Sequence, residues 1–593
     1  MRSLEAEPSL SAEVRASAEG IIEALLLSPS LTETELLRLF RRFPRARGRL
    51  FRKSELIQII RRLGPERGWP VQELSARLRR KPIRSQSGVL PVTVLTRPFP
   101  CPGRCVFCPN DLRMPKSYLS NEPGALRAAQ FRFDPYAQVT VRLFALARNG
   151  HVVDKVELIV LGGTWTHYPE SYRVGFIRRM FEALNDFDPD AELPDFELPP
   201  VDYEALPEVI RVDHAGVYNA RIQAFWRRRS ESPGDPEGSY ESLERALELN
   251  QDARCRSVGL SIETRPDEID ADVVRELRKL GATKVQIGIQ SLDDEVLRAN
   301  QRGHDVARTR EAIGWLRAAG FKVQGHWMAN LLGSTPERDR EDYLRLFDDP
   351  DIRPDELKLY PTSLIESAEL MSFHERGAWR PYSDEELLSV VTFGLAHTPR
   401  TCRLSRVIRD IPSTDIVVGN KEPNFRERAE RTLVEDGTPI RDIRAREIRG
   451  RRVGLEALEL KATEYACAVG RDVFIEAVDG EDRLAGFCRL TLPDGRVPPP
   501  FEELEGAALI RELHVYGPAV ALDGQEDFQE VQHGGLGRTL LEAAEARAQR
   551  SGFDKLAVIS AVGTRRYYEK RGYRRDGAYH SKGLISSLEA PGC

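Results

Sequence analysis

Short apolar strands alternate with amphipathic helices through the middle of this 593-residue chain. The segments with strand character are GVLPVTVLTRP, KVELIVLGG, SVGLSIET, KVQIGIQS, FKVQGHWMANL and ELKLYPT. Helical periodicity marks the intervening stretches DADVVRELRKLG and RTREAIGWLRAAG. Continuously apolar strands that alternate with helices predict an α/β fold with a parallel sheet. Five or six such units favour a full or partial (β/α) barrel, whose chemistry takes place at the carboxyl ends of the strands.

Three cysteines share one loop after the first of these strands. Cys101, Cys105 and Cys108 form the run CPGRCVFCP, with C-x3-C-x2-C spacing. Three such thiolates can hold three irons of a [4Fe–4S] cubane, which leaves the fourth iron free for another ligand. Enzymes that cleave S-adenosylmethionine to a radical use this geometry. Zinc needs four ligands and no second C-x2-C or paired histidine lies near, so the cluster is favoured over zinc and over a disulfide with a spare thiol.

Composition indicates a soluble enzyme of two to four domains, because one core cannot serve so long a chain. No apolar run approaches the ~20 residues of a membrane span, and the N-terminus MRSLEAEPSL lacks the pattern of a secretory signal. Eight cysteines, three of them clustered, indicate a reduced, metal-binding chain rather than a disulfide framework. We therefore expect a cytoplasmic protein with no membrane partner.

The N-terminal region is helical in pattern and strongly basic. Between Arg38 and Arg84 there are sixteen Lys and Arg residues but three acids, although the whole chain has a net charge of −5. Aromatic residues are interleaved with these bases. A solvated helical face is the ordinary explanation of a charge run, but the length of this one and its aromatic residues favour a nucleic-acid partner.

These patterns divide the chain into four predicted parts: a helical module (1–80), a barrel (81–400), a linker (401–457) and a mixed α/β domain (458–593). Segment 188–248 opens with DPDAELPDFELPP and breaks the alternation. We predict an insertion there, and its role is left open.

Polar and glycine residues follow several barrel strands. Gly162 and Gly163 come directly after VELIVL, where glycine lets a ligand approach the backbone, although a simple tight turn gives the same pattern. Glu263, Arg265 and Gln290 end later strands. We predict that these five residues bind S-adenosylmethionine.

The run QHGGLG, Gln532 to Gly537, precedes Arg538 and an apolar helix. It fits the Q/R-x-x-G-x-G/A pattern of GNAT acetyltransferases, in which backbone N–H groups at a helix N-terminus bind the pyrophosphate of acetyl-CoA. A generic glycine-rich turn is the alternative. Tyr567 and Tyr568 in the tail could lie beside the thioester, or form a buried aromatic pair.

Together these features resemble the family of the Elongator catalytic subunit, in its single-chain bacterial or archaeal form. The matching stretches run colinearly from about Lys81 to the end and include NEPGALRAAQFRFDPY, IETRPD, IGIQSLDDEVLRANQRGHD, RELHVYG, VQHGGLG and AVISAVGTRRYYEKRGY. The resemblance implies a radical S-adenosylmethionine barrel joined to a GNAT-fold domain.

The resemblance also implies an activity: carboxymethylation of carbon-5 of the wobble uridine of tRNA, with acetyl-CoA and S-adenosylmethionine. The 5′-deoxyadenosyl radical would take hydrogen from the acetyl methyl group, the carbon radical would add to uracil, and thioester hydrolysis would leave the carboxylate. A reductant for the cluster is implied, and the protein is expected to be a monomer or homodimer.

Site residues carried over from the resemblance form three sets. Acetyl-CoA is expected to contact Lys155, Glu512, Leu513, His514, Val515, Val531, Gln532, His533, Gly534, Gly535, Gly537, Arg538 and Tyr567. Catalytic roles are expected for Lys155, Glu512, Tyr567 and Tyr568. Binding to tRNA is expected from Arg41, Arg42, Arg45, Arg47, Arg49, Arg52, Lys53, Arg79, Arg80, Lys81 and Arg84, in a module that matches the family in charge rather than in sequence.

The chain also departs from the family pattern. GHWMANLLG replaces a more usual MPDLPG-like stretch, and the linker carries Cys402 alone where many relatives have several cysteines. One thiol cannot hold a structural zinc, so we predict none. Two other functions stay open: a protein lysine acetyltransferase with a structural cluster, in which Glu512 would be the base, and a non-catalytic RNA-binding scaffold.

Overall fold

The computed structural model describes residues 11–28, 30–45, 48–80, 88–203, 205–207, 216–228, 238–449, 453–517 and 535–584. Four helices open the chain and enclose their own apolar core, which includes Ile21, Leu56, Ile60 and Leu74. Their bounds are Ala12–Leu27, Glu33–Arg42, Lys53–Arg67 and Val71–Leu78. The helical character predicted for the N-terminal region is therefore found.

Seven parallel strands form the central sheet, and they are hydrogen-bonded in the order in which they occur in the chain. Their bounds are Leu90–Leu95, Lys155–Leu161, Arg256–Thr264, Lys284–Gln290, Lys322–Ala329, Glu356–Pro361 and Arg403–Val407. The first and last strands are the two edges of this sheet. It is thus an open, partial barrel, as the alternation of strands and helices predicts.

Helices cover the outer face of this parallel sheet, and several begin at an acidic cap. The carboxylate of Asp270 accepts from the amide of Val273, and that of Asp305 accepts from the amide of Arg308, at 2.9 and 2.8 Å. The helices that follow the four N-terminal ones, up to the second sheet, are Pro123–Gln130, Pro135–Arg148, Glu170–Asn185, Gly216–Arg227, Tyr240–Asn250, Ala271–Lys279, Asp294–Ala299, Val306–Ala318, Pro336–Asp348, Leu370–Glu375, Asp384–His397, Phe425–Glu435 and Ile443–Arg446. A two-stranded antiparallel ribbon joins Leu364–Ile365 to Ile416–Val418.

A second, mixed sheet of seven strands follows. In spatial order its strands are Glu459–Cys467, Gly470–Val478, Leu484–Pro493, Ala507–Val515, Lys555–Val558, Tyr579–Gly583 and Arg574–Asp576. One pair, Ala507–Val515 with Lys555–Val558, is parallel, and the other pairs are antiparallel. Helix Leu536–Arg550 connects that parallel pair, and the short helix Arg565–Glu569 follows it. The predicted mixed α/β unit is confirmed.

Two predicted boundaries need correction. Strand Arg403–Val407 pairs with Glu356–Pro361, so the parallel sheet continues past the predicted barrel end at residue 400. Helix Tyr240–Asn250 belongs to the outer layer, because the side chain of Asn185 donates to the carbonyl of Ala246 at 2.9 Å. The predicted insertion therefore ends before residue 240. Both errors arise because charge and proline content change there without a change of fold.

The mixed sheet is attached to the parallel sheet by buried ion pairs. Arg511 donates to both oxygens of Asp355, at 2.7 and 3.0 Å, and also bonds to Asp472. Arg317 pairs with Asp472 at 2.8 Å. All four side chains are almost completely inaccessible to solvent. These contacts fix the mixed sheet across the amino ends of the barrel strands.

Candidate functional site

The three clustered cysteines are buried together at the carboxyl ends of the barrel strands. Arg302 donates to the Sγ atom of Cys105 at 2.9 Å, and Arg265 lies 3.5 Å from the same sulfur. Cys108 contacts Ser117 at 3.1 Å and Cys101 contacts Thr164 at 3.4 Å. The sulfurs therefore sit among hydrogen-bond donors and positive charge.

The electrostatics single out Cys105, since the pKa of its neighbour Cys108 is raised well above its usual value by its hydrogen bond with Cys105 and by burial. A hydrogen bond with Cys108 and the Arg302 and Arg265 guanidinium groups hold the pKa of Cys105 well below its usual value, against the effect of burial. Burial raises the thiol pKa of Cys255, Cys402, Cys467 and Cys488 instead. A thiolate is the form that binds iron, so Cys105 is suited to such a bond, and three clustered cysteines are a donor set that fits a cluster.

Within the described ranges, no three His, Cys, Asp or Glu side chains surround a single metal-ion position.

The predicted residues for S-adenosylmethionine fall largely into this pocket. Gly163, Glu263, Arg265 and Gln290 line it. The Oε1 atom of Gln290 is buried without a hydrogen-bond partner in the described part of the chain, which suits a polar ligand. Gly162 does not line the pocket, since its backbone packs against Thr96.

Sequence reasoning missed three ionisable residues of the same pocket: Lys116, Arg302 and His326. Lys116 and Arg302 lie in loops with no distinctive spacing. His326 could have been found from the sequence. Lys322, Gln324 and His326 are polar and occupy alternate positions of one strand, so their side chains lie on the same face.

A larger cavity of about 670 Å³ fills the interior of the partial barrel and reaches the mixed sheet. Its wall combines strand starts of the barrel with residues of three mixed-sheet strands, Leu484–Pro493, Ala507–Val515 and Lys555–Val558. Lys284, Lys322 and Arg403 contribute from the barrel, and Glu512 and His514 from the mixed sheet. The mixed sheet therefore covers the end of the barrel opposite the cysteines.

The acidic strand residue Glu512 is held by cations in this wall. Its Oε1 atom is bonded to Lys322, and its Oε2 atom lies 3.5 Å from the Nε atom of Arg489. Burial lowers the pKa of His514 to about 4, so its imidazole is neutral near pH 7. The His514 Nε2 atom is buried and has no hydrogen-bond partner among the described residues, which leaves it able to contact a ligand.

A column of polar side chains joins the two pockets through the barrel. The Oε1 atom of Gln286, in the wall of the large cavity, accepts a hydrogen bond from Lys358 and lies 3.3 Å from the Nε2 atom of His326. His326 lies 3.8 Å from Glu263, which borders the cysteine pocket. Gln286, His326 and Glu263 thus lie between the two pockets, in the interior of the same barrel.

The predicted glycine-rich turn is partly within the described residues. Gly535 caps helix Leu536–Arg550 in a left-handed conformation, with φ 93°, which favours glycine. A Cβ atom on Gly537 would lie 2.6 Å from the Tyr567 hydroxyl and 3.7 Å from Val515, so these groups crowd the helix start. Arg538 lies in its first turn. Val531, Gln532, His533 and Gly534 fall outside the described residues.

The remaining residues predicted to bind acetyl-CoA, and Tyr568, which was predicted as catalytic, separate into two groups. Leu513 and Tyr568 line the large cavity, whereas Tyr567 packs edge-on against Tyr568 and under Arg571. Lys155 begins a barrel strand and does not line the cavity. Its strand partner Arg256 packs against Gly563 of the mixed-sheet unit, which places Lys155 near the junction of the two sheets.

The basic N-terminal residues include exposed side chains and less exposed ones that bond within the protein. Arg41, Arg42, Arg49, Arg52 and Arg80 are exposed. Arg45 bonds to Glu55 at 2.6 Å, Lys53 to Glu33 at 2.6 Å, and Arg79 to the carbonyl of Gly150 at 3.0 Å. These last three help to hold the helices in place. Arg47, Lys81 and Arg84 lie outside the described residues.

Comparison with known proteins gives the family. The chain is 35% identical over 524 residues to "tRNA uridine(34) acetyltransferase" of Methanocaldococcus infernus, covering 86% of this chain and 88% of the relative. It is 36% identical over 511 residues to the protein of that name in Dehalococcoides mccartyi, covering 85% of this chain and 100% of the relative. "Elongator complex protein 3" of Schizosaccharomyces pombe is 33% identical over 552 residues, covering 90% of this chain and 92% of the relative. The chain belongs to the Elongator complex protein 3 family.

Further comparisons agree with this family. The solved structure of archaeal Methanocaldococcus infernus Elp3 with an N-terminal deletion matches with a TM-score of 0.65 and 32% identity, covering 84% of this chain and all of that chain. The Radical SAM superfamily model matches residues 230–347, and the Radical_SAM C-terminal domain model matches residues 354–435. The partial barrel of this Elongator complex protein 3 family member is therefore a radical S-adenosylmethionine fold. Among the described residues, none of the helices combines the length and apolarity of a membrane span.

Proposed function

We propose that the protein carboxymethylates carbon-5 of the wobble uridine of tRNA, with acetyl-CoA as the carbon source and S-adenosylmethionine as the radical source. The observation that carries this proposal is the shared barrel interior, in which Gln286, His326 and Glu263 connect the cysteine pocket to the cavity beneath the mixed sheet. Relatives of 35 and 36% identity are named for tRNA uridine(34), which supports the substrate.

At one end of the barrel, Cys101, Cys105 and Cys108 would hold a [4Fe–4S] cluster. When bound, the cluster supplies the electron that cleaves S-adenosylmethionine. Arg302 and Arg265 offset the negative charge of the thiolates. Gln290, Gly163 and Glu263 are assigned to S-adenosylmethionine, because they line the same pocket.

At the other end, the mixed sheet would act as an acetyl-CoA-binding GNAT domain. The start of helix Leu536–Arg550 presents backbone N–H groups for the pyrophosphate. The strand segment Glu512–Val515 would hold the pantetheine arm, and Tyr567 and Tyr568 would flank the thioester. Lys155 is assigned to the same ligand from the barrel side of the junction.

The N-terminal helices, residues 1–80, are assigned to tRNA binding through their exposed arginines. A tRNA substrate is consistent with action in the cytoplasm, and the protein would work as a monomer or homodimer with an external electron donor.

One contact favours this function over protein lysine acetylation. An acetyltransferase base must accept a proton, but Glu512 is bonded to Lys322 and lies 3.5 Å from Arg489. One of its two carboxylate oxygens is therefore already engaged by the Lys322 ammonium group. Glu512 is thus better suited to orienting groups in the cavity wall than to deprotonating an amine.

The test uses anaerobically reconstituted protein, a reductant, S-adenosylmethionine, acetyl-CoA with a ¹³C-labelled methyl group, and tRNA with an unmodified wobble uridine. We expect labelled 5-carboxymethyluridine in nucleoside mass spectra. A tRNA whose wobble base is cytidine is the substrate control, and Cys105→Ser is the cluster control. Transfer of the label to a basic peptide, with tRNA unmodified, would refute the proposal in favour of lysine acetylation.

A further inference from the structure

The helix Gly216–Arg227 lies within the predicted insertion, to which the sequence assigned no role. It packs on the segment that carries the cysteines: its Tyr218 and Ile222 form an apolar cluster with Leu112, four residues beyond Cys108. Residues 208–215 and 229–237 on either side of the helix fall outside the described residues.

The most specific contact is made by one side chain. Asn219 accepts from the backbone N–H of Cys101 at 3.0 Å and donates to the backbone carbonyl of the same residue at 2.7 Å. An amide side chain that satisfies both backbone groups of one residue replaces a strand partner, and it fixes the rotation of that peptide. The first cysteine of the loop therefore has its backbone set by a residue 118 positions away.

Two further bonds from the same helix hold the chain on both sides of the cysteines. Trp226 donates from Nε1 to the carbonyl of Pro98 at 3.0 Å, and the Arg97 guanidinium lies over the Trp226 ring at 3.9 Å. Tyr218 donates to the carbonyl of Met114 at 2.8 Å. Three points of a segment that runs from residue 98 to residue 114 are thus attached to one helix.

The helix also contacts the wall of the cysteine pocket. The Nζ atom of Lys116, which lines that pocket, lies 4.8 Å from the centre of the Tyr218 ring. Loops that connect elements are ordinarily the mobile parts of a fold, and a cluster held by three cysteines on one loop is lost when that loop opens. The attachments of this helix act against such opening.

We infer that the helix Gly216–Arg227 is a clamp on the cluster-binding loop and that Asn219 is a positioning residue for Cys101. This inference rests on the proposed function, because it takes the three cysteines to hold an iron–sulfur cluster. The clamp lowers the population of open loop and so limits access of oxygen to the cluster.

The test compares wild type with Asn219→Ala after anaerobic reconstitution. Iron and sulfide content, the visible absorption of the cluster and the electron paramagnetic resonance spectrum of its reduced form are measured, followed by bleaching in air. Two ordinary hydrogen bonds shift an opening equilibrium by about tenfold. We therefore expect bleaching roughly tenfold faster in Asn219→Ala, together with an altered resonance spectrum.

Matched variants separate the clamp from general damage. Gln223→Ala changes an exposed residue one turn along the same helix and is expected to bleach at the wild-type rate. Asn219→Asp keeps the acceptor for the Cys101 amide but places a carboxylate oxygen against the Cys101 carbonyl, so we expect bleaching at least as fast as in Asn219→Ala. If Asn219→Ala does not fold, Trp226→Phe removes the Pro98 bond and keeps an aromatic ring, with an expected acceleration of about threefold.

One result would overturn the clamp alone: the wild type forms its cluster, and Asn219→Ala and Trp226→Phe both show wild-type spectra and bleaching rates changed less than twofold. Wild-type protein that takes up no iron and sulfide would instead overturn the proposed function, and the clamp with it.

Discussion

Replacement of Arg511 by methionine tests whether buried charges hold the mixed sheet on the barrel. Arg511 bonds to Asp355 at 2.7 and 3.0 Å, to Thr491 at 2.7 Å, and to Asp472. Breaking a buried ion pair by removing one partner costs about 3–5 kcal/mol. Because Arg317 still pairs with Asp472 at 2.8 Å, we expect the lower figure, about 3 kcal/mol.

Urea unfolding at pH 7.5, followed by tryptophan fluorescence, measures this loss. With a denaturant slope of about 3 kcal/mol per molar, the midpoint should fall by about 1 M. Arg496→Met is the matched control, because Arg496 is an exposed arginine of the same unit that pairs with Asp494. Its expected change is within about 0.5 kcal/mol.

The stability lost in Arg511→Met should also depend on pH, and the ionisation of Asp355 decides in which direction. Although burial opposes it, the Arg511, Arg317 and Arg489 guanidinium groups hold the pKa of Asp355 far below its usual range. The stability that this carboxylate contributes is complete above its unfolded pKa of about 3.9 and is lost as the pH falls below it. The difference between wild type and Arg511→Met should therefore shrink below about pH 4. A difference under 1 kcal/mol at pH 7.5, or one independent of pH, would refute the reasoning.

Three further outcomes are expected. Gly537→Ala should weaken acetyl-CoA binding at least tenfold in calorimetry, because the new Cβ atom would lie 2.6 Å from the Tyr567 hydroxyl. Replacing Arg41 and Arg42 together by glutamine should reduce the slope of log tRNA affinity against log salt by about 1.5, since each exposed phosphate contact contributes about 0.7–0.9. Cys105→Ser should abolish the visible absorption of the reconstituted cluster and the cleavage of S-adenosylmethionine.

Each of these outcomes has its control and its contrary result. Gly480→Ala adds a Cβ atom with nothing within 4 Å and should leave acetyl-CoA affinity unchanged. Arg496→Gln should leave the salt slope unchanged, and Cys255→Ser should retain the cluster. Unchanged affinity in Gly537→Ala, an unchanged salt slope in the double variant, or a normal cluster in Cys105→Ser would each contradict the assignment tested.

The alternation of strands and helices, the cysteine loop and the glycine-rich turn were all available from the sequence. Each of these features depends on residues that are close together in the chain. Strands and helices show periods of two and 3.6 residues, the cysteines lie within eight residues, and the glycines lie at one helix start. Gly163, Glu263, Arg265 and Gln290 could be placed near the cysteines because parallel strands bring their carboxyl ends to one edge.

The tertiary structure alone decided how the two sheets meet and what holds the cysteine loop. Asp355 and Arg511 are 156 positions apart, and Cys101 and Asn219 are 118 apart. No local pattern marks either pair, because the neighbouring sequence does not show whether a polar side chain will be buried or exposed. Long-range packing decides which end of the barrel the mixed sheet covers. It also decides that the acid-rich insertion supplies a helix to the cluster loop. Local periodicity does not encode such packing.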